Sequence, residues 1–168
     1  MDVGFYFLWV EQSGLSKWIR ESPSLLAFPG ILFLHTLGMG FLAGTNMAMD
    51  LRILGVAPRI PLAPMEQFYR VMWSAFCLSA VSGVLLLIAY PTKALTNPLF
   101  YVKLTLIALA VGNMRLLRKQ VFGELNPDAR PVPRKSKILA GTSLVFWVAI
   151  ITTGRLLAYT FSRMYWNG

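Results

Sequence analysis

The chain has 168 residues, of which 56% are hydrophobic and 14% charged, a balance foreign to a water-soluble domain of this size. A helix needs about 20 mostly apolar residues to cross a hydrocarbon core about 30 Å thick, so the chain has room for about four crossings and for no soluble catalytic domain. The net charge of +9 sits between apolar runs rather than on one face of a soluble fold, which reads as a topology signal and not as a nucleic-acid surface.

The stretch at 3–20 is rich in aromatics (Phe5, Tyr6, Phe7, Trp9, Trp18) but is broken by Glu11, Gln12, Ser13 and Lys17, as suits a helix lying in the membrane interface. It lacks a basic leading segment and a small-residue cleavage site, so it is expected to stay in the mature protein. The first crossing is expected over 25–49, opened by Ser22-Pro23 and closed by Asp50, Arg52 and a loop with Pro58, Pro61 and Pro64. The second is expected over 67–90, stopped by Pro91. The third follows Asn97-Pro98 over 99–117, and the fourth runs over 138–161 after a loop with Pro127, Pro131 and Pro133. The lone Cys77 forms no internal disulfide and reads as a buried structural thiol. With no internal repeat and no long linker, residues 1–168 make a single transmembrane domain. The expected fold is an all-α integral-membrane four-helix bundle with an N-terminal interfacial helix.

Lys and Arg cluster in two loops, Arg52, Arg59 and Arg70 in one, and Arg115, Arg118, Lys119, Arg130, Arg134, Lys135 and Lys137 in the other. Both loops then lie on one side, so both termini should face the periplasm or its equivalent.

At 100° per residue, His35, Gly38, Met39, Leu42, Asn46, Met49 and Asp50 fall on one stripe of the first crossing. Imidazole, amide and carboxylate facing lipid would be left unpaired, so the stripe should face the bundle interior. Gly38, Gly40 and Gly44 allow close approach by a helix or a flat cofactor. His35 sits near mid-membrane or slightly toward the outer side, and Lys103 and Arg155 lie in the outer third of the third and fourth crossings. An imidazole with two cations above it suits haem b, with iron on His35 and propionates on Lys103 and Arg155, although the same cations suit snorkelling to headgroups. Met72 is the only other methionine expected near the right depth for a second axial ligand. Copper is the alternative, because His35 and Met39 are an i, i+4 pair of imidazole and thioether. Asn46, Asp50, Asn113 and Arg115, with Arg52 and Arg70 close by, share a depth near the other surface. They read as a network locking the helices, or as a proton entry point or quinone-headgroup site.

The string Leu34-His35-Thr36-Leu37-Gly38, then Asp50-Leu51-Arg52-Ile53-Leu54-Gly55, and late in the chain Gly154-Arg155-Leu156-Leu157-Ala158-Tyr159, resembles a bacterial four-helix inner-membrane family of unknown function. That family is distantly similar to copper-resistance D-type and small b-type cytochrome membrane proteins. The resemblance spans nearly the whole chain, and His35, Asp50, Arg52, Asn113, Arg155 and Tyr159 match its pattern. Relatives often carry a further histidine near the end of the third crossing, where this chain reads Asn113-Met114-Arg115-Leu116-Leu117-Arg118.

The expected function is thus a haem b protein of the inner membrane, an electron-transfer or accessory subunit of a redox complex. Copper handling and a cofactor-free structural subunit are the other two readings. Partners are expected to be the lipid bilayer and further subunits, of its own kind or of a larger complex, and no nucleic acid. No paired carboxylates share a cavity, no nucleophile has an adjacent base and no glycine loop suits phosphate, so stand-alone enzymatic activity is not expected.

Overall fold

The computed structural model describes residues 9–123, 128 and 131–164, with backbone alone at 158 and 160–164. Phe5, Tyr6 and Phe7 lie outside the described residues. Secondary structure there is helical throughout: α1 (Gly14–Glu21), α2 (Phe28–Leu54), a 3₁₀ turn (Ala63–Gln67), α3 (Phe68–Ala89), α4 (Pro91–Leu95), α5 (Pro98–Phe122) and α6 (Arg134–Met164). Four of these, α2, α3 with its leading turn, α5 and α6, are long and apolar enough to cross a membrane.

Each crossing is longer than its apolar run, and the local chemistry says why. Helix α2 begins at Phe28 with Pro29 in its first turn rather than at Leu25, because a proline's fixed φ and missing N–H suit that position. Asp50 and Arg52 do not stop it. The stop is Gly55, whose φ of 101° lies in the left-handed region where a side chain is strained. The Val56 amide there donates to Leu51 O at 3.0 Å, closing a Schellman-type cap. Asn97 caps α5 by accepting from the Leu99 amide at 3.0 Å, and α5 runs on through Arg115 and Arg118 to Phe122. Long basic side chains are good helix formers, so charge marks the membrane boundary without ending the helix.

Helices α2 and α3 form the closest pair, α5 and α6 the second, and α2 joins the pairs through α6. The α2–α3 and α5–α6 connections share one end, the basic end. There Asp128 accepts from the Leu62 and Ala63 amides at 2.8 and 3.0 Å. At the opposite end α1 lies on α3, with the Ser16 hydroxyl donating to Ala89 O at 3.3 Å, Thr92 donating to Glu11 at 2.8 Å and Arg20 paired to Glu11 at 3.0 Å.

The two backbone donors hold the Asp128 carboxyl below its ordinary 3.8. A depressed pKa contributes stability that is complete above the ordinary value and fades as pH falls through the lowered one. Acidification below the carboxylate range, or Asp128→Asn, is therefore expected to speed hydrogen exchange at Leu62 and Ala63 while leaving the crossings protected. Unchanged exchange at both amides would contradict the cap.

The larger core lies toward the basic end, built on Met49, Ile53, Leu62, Met65, Tyr69, Met72, Met114, Leu117, Trp147 and Ile150. Among the described residues the opposite end has a smaller cluster of Ile19, Ile31 and Ala89, with Phe28, Leu85, Leu86 and Tyr90 packed on it. Within α5 no side chain before Ala110 is buried, and among the described side chains of α6 none beyond Ile150 is. The described side chains in the outer halves of α5 and α6 are thus half-buried or exposed. Cys77 faces out of the bundle, a correction to the expected buried thiol: it sits on the side of α3 opposite the buried Met72, Ala75 and Ser79.

Candidate functional site

The predicted stripe on α2 is the helix's buried face, with Gly38, Leu42, Asn46, Met49 and Asp50 inside and His35 and Met39 half-buried. Its three small residues separate. A Cβ on Gly38 would stand 2.9 Å from Ala75 O and 3.0 Å from the Ser79 amide nitrogen, whereas one on Gly40 or Gly44 would meet nothing within 4 Å. Gly38 is therefore where α2 and α3 touch backbone to backbone, and Gly40 and Gly44 face outward.

That contact sets the imidazole. His35 Nδ1 lies 2.9 Å from Ser79 O. A carbonyl only accepts, so Nδ1 carries the proton and donates, and in the neutral ring the lone pair is on Nε2. The Ser82 hydroxyl donates to Leu78 O at 2.6 Å and so turns its own lone pair toward Nδ1, 3.4 Å away. The ring lies on Gly83, where a Cβ would come within 3.1 Å of Cε1. No hydrogen bond to Nε2 is found among the described residues. This is how a metal-binding histidine is commonly held, with one ring nitrogen anchored to a carbonyl and the other presented.

Lys103 on α5 is half-buried and crosses to α6, where a Cβ on Gly154 would sit 3.6 Å from its Nζ. Arg155 and Tyr159 are exposed. Met72 is fully buried seven residues from Ser79, about 10 Å along the helix axis toward the basic end, so it does not reach a metal on His35. Met39 is one turn from His35 and half-buried against the main core. Among the described residues no group of three or more His, Cys, Asp or Glu side chains is placed to hold a metal ion.

Farther down α2 a second polar cluster forms. The Asn46 amide donates to Asp50 Oδ2 at 2.6 Å and meets Ser143 Oγ on α6 at 2.7 Å, and all three residues are buried. Asp50 Oδ1 and Trp147 Nε1 are buried without a hydrogen-bond partner among the described residues. Asn113 donates instead to Leu139 O at 2.9 Å, Arg52 donates to Ile60 O, and Arg115 stacks on Trp73. The expected network around Asp50 is therefore amide and hydroxyl, not arginine. Ser143, like Ser79 and Ser82, was not legible from the sequence, because serines in apolar helices are common and only their facing partners single them out. Asp50→Ala should cost about 1–3 kcal/mol, since it leaves the buried Asn46 amide short of an acceptor. Ser143→Ala should cost less, and the two losses should not add. Unfolding in mild detergent measures this, and additive losses would separate the residues.

No known family model matches the chain, and no curated protein or solved structure is found to match it.

Proposed function

We propose that this chain is a membrane-embedded haem b subunit that ligates iron through His35 Nε2 and serves electron transfer in a larger redox assembly. The observation that carries the reading is the anchored imidazole, with Nδ1–H on the Ser79 carbonyl and Nε2 left without a hydrogen bond among the described residues. Gly83 and Gly154 keep the neighbouring surfaces flat, and Lys103 supplies a cation beside them. Bound there, haem b would supply reversible one-electron chemistry. The protein's part is to fix the ring, keep water out and balance the charge of the propionates. The motif resemblance to small b-type cytochrome membrane proteins points the same way.

His35 is the chain's one histidine and would hold the haem, while Gly40 and Gly44, outward on the far side of α2 from it, give a further subunit a place for close approach. The proposed setting is the bacterial inner membrane, from the motif resemblance, with both termini periplasmic, an orientation that the basic loops support.

Haemin titration of the purified full chain tests this reading. Saturation at one haem per chain, a b-type spectrum and carbon monoxide binding by the ferrous form are expected. Absence of saturable binding would overturn it, and metal uptake lost in both His35→Ala and Met39→Ala would favour copper.

A further inference from the structure

The basic end carries a second feature, independent of the His35 reading. Between the start of α3 and the end of α5 lies a cleft of about 350 Å³. We propose that this cleft binds the phosphate headgroup of an anionic phospholipid.

Three cations line it, Arg115, Arg118 and Lys119, against one acid, Glu66. Glu66 pairs with Arg118 at 3.2 Å. Two positive charges are left over, which suits a headgroup with one or two phosphates. The guanidiniums are held by rings. Arg115 lies 5.1 Å from the Trp73 ring centroid and Arg118 lies 5.3 Å from that of Tyr69. A guanidinium stacked on an aromatic face keeps its charge and its edge N–H donors, so it is positioned without being neutralised. No acid partners Arg115 among the described residues.

Depth selects a lipid over a soluble phosphate. Arg115 is about 25 Å along α5 from Pro98, so the cations lie where a hydrocarbon core about 30 Å thick gives way to headgroups. The remaining wall is apolar, with Trp73 and Met114 on the side of the bilayer centre, placed to meet the acyl chains below a headgroup. Basic pockets between crossing helices recognise acidic headgroups by this combination.

Native mass spectrometry of the full chain in mild detergent, with cardiolipin and phosphatidylcholine as probes, tests the proposal. Cardiolipin should be retained in preference to phosphatidylcholine, and Arg115→Gln with Arg118→Gln should lower its retention by about tenfold. Arg134→Gln with Lys135→Gln removes the same charge from the same end outside the cleft and should change nothing. Arg115→Lys with Arg118→Lys keeps charge and ring contact, guards against a folding failure and should retain an intermediate amount. Equal retention of the two lipids, an equal fall in the Arg134/Lys135 variant, or a lysine variant no better than the glutamine one would overturn the proposal. Displacement of cardiolipin by inorganic phosphate would overturn the assignment to a lipid in favour of a soluble anion.

Discussion

His35→Ala is expected to abolish haem b retention and the Soret band with it, while the four crossings still insert. The two outcomes separate because they rest on different physics. Insertion follows the summed apolarity of each segment, to which one polar residue contributes little. Ligation depends on one lone pair, on the Nε2 that the Ser79 contact leaves available. The variant also loses that interhelical hydrogen bond, worth about 1 kcal/mol between membrane helices, so modestly lower stability accompanies the loss of colour. Full haem content in His35→Ala would place the iron elsewhere. A parent that carries copper and no Soret band would move the function to the His35 and Met39 pair.

Gly38→Ala is expected to destabilise the bundle by about 1–3 kcal/mol, the usual cost of forcing a methyl into a close-packed contact. The added carbon would meet Ala75 O at 2.9 Å and the Ser79 nitrogen at 3.0 Å. These are backbone atoms and cannot rotate away. Helix α3 must move, and Ser79 moves with it, so the carbonyl that orients His35 shifts and haem retention weakens too. Gly40→Ala is the matching control. Its Cβ would meet nothing within 4 Å, and alanine favours helix over glycine by up to about 1 kcal/mol. Opposite signs for the two substitutions, read by thermal unfolding in detergent, are the expected result. Equal effects would show that the α2–α3 contact is not made at Gly38.

Much of the architecture was legible because it follows from solvent. Four apolar runs need four crossings, and an imidazole, an amide and a carboxylate at helical spacing must turn inward. The stripe from Gly38 to Asp50 was found this way. What faces that stripe was not, because the register between helices depends on side chains that meet in space and leave no periodic trace. His35 could be placed in depth, but its contact with Ser79 and its seat on Gly83 depend on how far α2 slides along α3. Asp50 was paired with arginines at its depth, yet it is buried beside Asn46 and Ser143 while the arginines turn to rings and backbone. The basic-end cleft was missed for a similar reason. Arg115 and Arg118 were read as topology charges, and only the fold brings Trp73 and Tyr69 of another helix beneath them.

Haem content per chain, measured by pyridine haemochrome on the full-length protein extracted from its native membrane in mild detergent, tests the central claim most directly. An anchored imidazole with a presented Nε2 predicts haem b in one-to-one ratio with the chain. A well-folded preparation that carries no haem would contradict it.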